Sequence, residues 1–177
     1  MLRSFFLFLA FMGTGLVAYS HQNAPGSHAQ NSPSAAPAAS QPIAIVVNTS
    51  NPVDSLSMSE LRKIFLGERG HWSNGRRITI IMLEQEQPER RVVLSTICQM
   101  NESEFNNHFL HGLFTGEVLV SPKTLATSVG VRKFIFNVPG AIGYMRLSDV
   151  DNSVKVIRIG EHLPLDKAYP LHVTVDK

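Results

Sequence analysis

Cysteine is nearly absent from this chain. Cys98 is the single one in 177 residues, so no disulfide can form within it. An excess of one charge is also missing. With 16 basic and 14 acidic residues the formal net charge is +2, and nucleic acid, whose phosphates demand a basic patch, is excluded as a partner. No apolar run reaches the ~20 residues that cross a bilayer. Catalytic signatures are lacking too: there is no Gly-x-Ser-x-Gly elbow, no His-Glu-x-x-His pair and no Gly-rich loop ending in Lys-Ser/Thr. Glu84 and Glu86 share one loop with nothing to tune them apart as acid and base. The chain is read as non-catalytic, with no cofactor and no metal assigned.

What is present falls into three parts. Residues 1–20 have the layout of an export signal: Arg3 supplies the positive start, Phe5–Val17 a short apolar run, and Ala18-Tyr19-Ser20 a small-x-small cleavage site. A cleaved leader is favoured over an uncleaved anchor, which places the protein in the periplasm or outside the cell. Residues 21–41 are rich in Ala, Pro, Ser, Gln and Asn without apolar periodicity, the composition of a disordered linker. Residues 42–177 remain as one domain, long enough to bury a core. Losing residues 1–20 removes Arg3 and no acid, leaving 15 basic and 14 acidic residues, a net of +1.

Two segments carry the strongest local signals. In Asn48–Gly67, Ser57 and Glu60 have the spacing of a capping box. Leu61, Ile64 and Phe65 then make an apolar stripe over a helix of roughly 58–66, which Gly67 closes. In Phe134–Tyr144 a helix ends at Asn137, Pro139-Gly140 turns the chain, and Ala141–Met145 follows as a strand. Ile43–Val47, Ile78–Met82 and Val154–Ile159 are the other predicted strands. Pro88 is expected to open a helix running to about Met100. Ser103 is expected to cap a helix with Phe105, Phe109 and Leu113 on one face, and a further helix is expected over 123–137. The tail from Gly160 holds Pro164 and Pro170 and reads as irregular. Alternating strands and helices predict an α/β protein, a mostly parallel or mixed sheet covered by helices. Cys98 and Trp72 read as buried core side chains, Trp72 as a plug beside a turn.

Taken in order, these segments resemble the second lobe of bacterial phosphate-type substrate-binding proteins of ABC transporters. His71-Trp72-Ser73-Asn74-Gly75 looks like that family's Trp-containing turn, and Ser103–Gly116 like its aromatic helix ending in Phe-Thr-Gly. The resemblance covers about 43–160. It implies one lobe of a type II periplasmic-binding-protein-like fold, a mixed sheet flanked by helices, with no room for a second lobe after the linker. It also implies a small anion such as phosphate as ligand, and a membrane transporter or sensor protein as partner. In that family the anion lies between two lobes, held by helix N-termini, hydroxyls and an arginine.

The family's Ser-Gly-Thr anion motif follows the second strand, where this chain reads Met82–Arg91 (MLEQEQPERR) and has no such triplet. Glu84, Glu86 and Glu89 are expected to be a solvated, self-capped helix start, with Arg90 and Arg91 as compensating anion contacts. Thr49, Ser50 and Asn51, at the C-terminal end of the first strand, are the other ligand candidates, although the same residues make good turn chemistry. Two alternatives stand beside a ligand-binding lobe. One is a ligand-free protein-interaction or sensor-accessory module in the periplasm, which the missing triplet and lobe favour. The other is a metal- or proton-responsive protein using His108, His111 and His71, with Glu104 the nearby acid.

Overall fold

A computed structural model describes residues 39–175 of the chain; the expected leader and most of the expected linker lie outside the described residues. The first strand, β1 (Ala39–Asn48), begins at Ala39 rather than after the linker. Its second half, Ile43–Val47, is buried without exception. An unbroken β-branched run has no polar face to turn to water, so it must lie between covered layers.

β1 is flanked by β5 (Ala141–Arg146) and β6 (Val154–Ile159) and runs antiparallel to both, with Val46 opposite Gly143 on one side and Val156 on the other. Beyond β5 come β3 (Thr79–Leu83) and β4 (Lys123–Leu125), both parallel to β5. The short β2 (Ser55–Leu56) is parallel to β6 at the other edge. The result is the mixed sheet with flanking helices that the sequence predicts, in the order β2-β6-β1-β5-β3-β4.

Local chemistry explains α1 (Met58–Phe65): Ser57 Oγ accepts the Glu60 N–H, and the Glu60 carboxylate accepts the Ser57 N–H. Leu61, Ile64 and Phe65 are buried, and Gly67 follows at φ +74°. Helix α2 (Pro88–Val93) continues into a π-helical turn, Leu94–Cys98, and stops at Gln99 in the left-handed conformation. The expected helix to Met100 is therefore shorter and broken. Helix α3 (Glu102–Thr115) is capped by Asn101 with Glu104, not by Ser103. The helix expected over 123–137 is β4 followed by α4 (Ser128–Asn137), capped by Thr127. Nor is the tail wholly irregular, because β7 (His172–Val175) pairs antiparallel with Ala39–Pro42. Tyr169 Oη donates to the Ile43 carbonyl at 2.9 Å, and Ile43 N–H donates to Leu171 at 3.0 Å. Those bonds press the tail onto β1.

Trp72 and Gly140, drawn from two separate segments, meet. Trp72 is buried and its Nε1–H donates to the Gly140 carbonyl at 3.0 Å, which also accepts the Thr79 N–H at 3.0 Å. The two backbones pass so closely that a β-carbon on Gly140 would stand 2.0 Å from the Arg77 carbonyl oxygen. Gly140→Ala is therefore expected to lower stability by about 1–3 kcal/mol in urea unfolding, through overpacking against backbone. Gly75→Ala, with nothing within 4 Å of the added carbon and only φ +79° against it, should cost about 1 kcal/mol.

Hydrogen bonds from Ser57, the backbone N–H before the hydroxyl, hold the Glu60 carboxyl below its ordinary 4.5. A lowered folded value means that this contribution is present above that pH and is lost as pH falls through the folded value. Melting temperature should accordingly fall on acidification, and Glu60→Gln should flatten that part of the profile.

Candidate functional site

Ligands of open α/β sheets favour the edge where parallel strands end. Here β3, β4 and β5 share one direction, and two connections leave their carboxyl ends together. After β3, Glu84–Gln87 forms a turn closed by Gln87 N–H to the Glu84 carbonyl at 3.1 Å, and Pro88 opens α2. After β4, Thr127 caps α4, whose first turn carries no acid. The Glu84 N–H donates to the Leu125 carbonyl at 3.2 Å and Gln87 Nε2 reaches the Ala126 carbonyl at 3.5 Å, so the two loops are joined.

Two open grooves flank the Glu84–Gln87 turn. One, of about 780 Å³, has Leu94 and Met100 on its wall and Glu86, Arg91 and Gln99 around them. The other, of about 620 Å³, sets Phe105, Phe109 and Leu113 against the hydroxyls of Ser121 and Thr124, with Glu84 and Glu86 at its rim. The charge run between them is not the solvated helix start expected from sequence. Arg90 is only 4% exposed. Its Nε and Nη2 donate to the two oxygens of Glu102 at 2.9 and 2.7 Å, and Nη1 donates to the Leu83 carbonyl at 2.8 Å. Its guanidinium lies 5.4 Å from the Phe105 ring centre. Glu89 is 3% exposed and paired with Arg146 Nε, while its Oε2 is buried without a hydrogen-bond partner. Neither residue caps the helix, and the cap residue Gln87 makes no side-chain capping bond. Burial is the reason: consecutive positions at the start of α2 point under the sheet edge, where a charge is tolerated only when paired.

Glu84, Glu86 and Arg91 are left facing solvent. Of the expected ligand residues on this edge, Arg91 has no side-chain hydrogen bond among the described residues, whereas Arg90 is fully engaged with Glu102 and Leu83. The Tyr144 hydroxyl lies beneath, accepting the Leu83 N–H at 3.2 Å, and desolvation raises its pKa, so it stays neutral. Desolvation likewise pushes the Cys98 thiol up to about 12. It is a packing group and not a nucleophile.

Thr49, Ser50 and Asn51 lie elsewhere. Because β1 runs against its neighbours, its C-terminal end sits at the amino ends of β3 and β5, the opposite edge of the sheet from Arg90 and Arg91. The loop is organised by Asn48, whose Nδ2 donates to the Ile135 and Phe136 carbonyls at the end of α4 and whose Oδ1 accepts from Ser50. Asn51 is buried and its Oδ1 accepts the Val53 N–H. Thr49 is exposed. Arg76, which sequence reasoning passed over, donates to Ser50 Oγ at 3.3 Å; its position just after Asn74-Gly75 was the available signal. The structure thus brings Thr49, Ser50 and Asn51 together with Arg76, and does not join them to Arg90 and Arg91.

His108 Nε2 lies 2.9 Å from the Leu66 carbonyl oxygen, and His111 is exposed. Among the described residues no three His, Cys, Asp or Glu side chains are arranged to hold a metal.

A family model described as a PBP superfamily domain matches residues 13–172. Among solved structures, the chain is similar to a Clostridium perfringens protein described as a phosphate ABC transporter substrate-binding protein, with bound phosphate. Identity is 20%, the TM-score is 0.65, and the match covers 78% of this chain and 55% of that one. It is similar also to an ABC-type phosphate transport receptor from Vibrio cholerae, at 21% identity, TM-score 0.63, and 78% and 56% of the two chains. A third is PstS from Borrelia burgdorferi, at 14% identity, TM-score 0.60, and 78% and 57% coverage. At such identity these likenesses speak for the fold alone, and the chain spans about half the length of the structures it matches.

The pairing of Arg90 gives a stability test. Arg90→Met leaves Glu102 and the Leu83 carbonyl without their donor, and urea unfolding should show a loss of about 2–3 kcal/mol. Arg91→Met, on the open side of the same helix, should fall within about 0.5 kcal/mol of the parent.

Proposed function

We propose that this chain, which belongs to the PBP superfamily, is a non-catalytic exported binding lobe that takes a small oxyanion of the phosphate type at the carboxyl edge of β3 and β4. The observation that carries this reading is the meeting of two loop-to-helix connections at that edge, beside a groove lined by the Ser121 and Thr124 hydroxyls. The start of α4 adds a partial positive charge with no acid in its first turn. Arg91, exposed on the neighbouring groove across the Glu84–Gln87 turn, is the uncommitted cation of this edge, and Arg90, which lines the hydroxyl groove but is bound to Glu102, positions the loop. The phosphate bound in the Clostridium protein and the phosphate transport for which the Vibrio receptor is named support the ligand class. The layout of residues 1–20 supports export, and the boundaries 1–20, 21–41 and 42–177 belong to the same proposal, save that residues 39–41 lie in β1 and join the domain. Thr49, Ser50 and Asn51, with Arg76, form a second and weaker anion candidate on the far edge.

Glu84 and Glu86 set the affinity. Two exposed carboxylates beside the groove repel an anion, and one at about 4 Å in water costs ~1 kcal/mol, roughly fivefold in binding. The lobe is therefore expected to bind weakly until a partner chain covers the groove. A second reading, a ligand-free protein-docking module for a transporter or sensor, is favoured by one observation: Leu113, on the groove wall, is 57% exposed and apolar.

Thermal-shift titration with phosphate, sulfate, molybdate and citrate, followed by calorimetry, separates the two. At a hundredfold excess over the dissociation constant the ligand adds about 2.7 kcal/mol of stability. Phosphate should raise the melting temperature, Glu84→Gln and Glu86→Gln should each tighten binding severalfold, and Arg91→Met should weaken it. No shift with any of the four anions would overturn the anion reading in favour of docking.

A further inference from the structure

Helix α3 buries one face and leaves another without cover among the described residues. Phe105, Phe109 and Gly112 face the body. Leu110 and Leu113 are each 57% exposed and Phe114 is 86% exposed, at the i, i+3, i+4 spacing of a single stripe. Leu119, 57% exposed, extends the stripe, since Leu113 and Leu119 line one shallow groove. The four side chains leave on the order of 500 Å² of apolar surface together, near the top of what a monomer carries.

This surface is held rigidly. The Gly67 carbonyl accepts the N–H groups of Leu119 and Val120 at 2.8 and 3.3 Å. A β-carbon on Gly112 would stand 2.3 Å from Val118 Cγ2. Val118 and Val120 are buried on either side of Leu119, so the leucine between them is held outward and cannot fold back. Its ordering entropy is spent in folding, and a partner meets a preformed face.

We infer that this stripe is a two-fold interface on which a second copy of the chain packs, α3 against α3. The inference goes beyond the anion reading and stands whether or not the groove takes an anion. A closed two-fold contact needs a patch complementary to itself, and the rim of this one carries both signs. Glu117 follows the helix, and Arg77 and Lys123 line the groove with Leu113 and Leu119. With both signs on one rim, Glu117 of one copy can pair with Arg77 or Lys123 of another. The chain's formal net charge of +2 puts no large repulsion between copies. About 500 Å² of apolar centre is a little over half of the ~800 Å² per partner of a standard stable interface and leaves the remainder to a polar rim. The sheet edge beside it does not compete, because β4 is short, follows Pro122 and begins with Lys123, which discourage strand pairing.

Sedimentation equilibrium of the exported protein, from micromolar to submillimolar concentration, tests this. The mass should rise from one chain to two and go no further. Phe114→Glu and Leu113→Glu should weaken the dimer on the order of thirtyfold or more without changing the circular dichroism spectrum, because both side chains lie outside the core. Leu165→Glu, at an exposed leucine off this face, should leave the dimer intact. Glu117→Lys should weaken it, and the added changes Arg77→Glu and Lys123→Glu should restore it. A single-chain mass at every concentration, a dimer indifferent to Phe114→Glu, or binding to phosphatidylglycerol vesicles without self-association would each overturn the inference.

Discussion

The fold hangs on the double-sided burial of Ile43–Val47. Five consecutive side chains at zero exposure mean that β1 can exist only with a strand on each flank and a layer on each face. Its neighbours supply both: β5 and β6 pair with it, and α4 lies over it and β5. The amide and carbonyl of Ile43, at the point where β1 leaves the pairing with β6, are taken by Leu171 and Tyr169. A long excursion of the tail is thus tied to the strand that begins the domain. Because β1 runs antiparallel to both neighbours, it also sets the polarity of everything around it. The loop that follows it opens at the far edge from the loops that follow β3 and β4.

That polarity bears on chemistry. Positive charge near the start of α2 is divided between a structural and an open role. Arg90 lies under the edge with Glu102, and Glu89 lies beside it with Arg146. Such pairs add little net stability against an apolar alternative, yet losing one partner is costly, so they hold the Glu84–Gln87 turn in one arrangement. Glu84 and Glu86 rim the hydroxyl-lined groove, and Arg91 lies in the other one with Glu86. The edge has hydroxyls and a helix start suited to an oxyanion, and a local field that works against it. An oxyanion bound at this edge, as proposed, would gain from a covering partner that excludes water and raises the worth of each contact.

Much of the fold was legible because it is local. The Ser57/Glu60 capping box, the stripe of Leu61, Ile64 and Phe65, and the Pro139-Gly140 turn each involve residues within four positions of one another. Asn101 with Glu104 is the same capping signal and was there to be read, two residues ahead of the expected Ser103. Lys123–Leu125 was misread as helix because Leu125 and Val129 stand at helical spacing. Its strand geometry comes from pairing with Ile81–Leu83, about forty residues away. His172–Val175 escaped for the same reason, since its partner is the segment taken for linker. The split of the expected ligand residues could not be seen at all from spacing, because strand direction is not written in a single strand.

The sequence by itself determined that residues from about 42 onward make an α/β layer with helices over a buried sheet, that the one cysteine is inert core, and that no familiar catalytic motif is present. Those follow from periodicity, caps, turns and composition, which act over a few residues. Only the tertiary structure decided which edge each loop occupies, that Glu89 and Arg90 turn inward while Arg91 stays out, and that one stripe of α3 is left uncovered. The physical reason is common to all three: which way a strand runs, and which side of a helix is covered, depends on what packs against it from elsewhere in the chain.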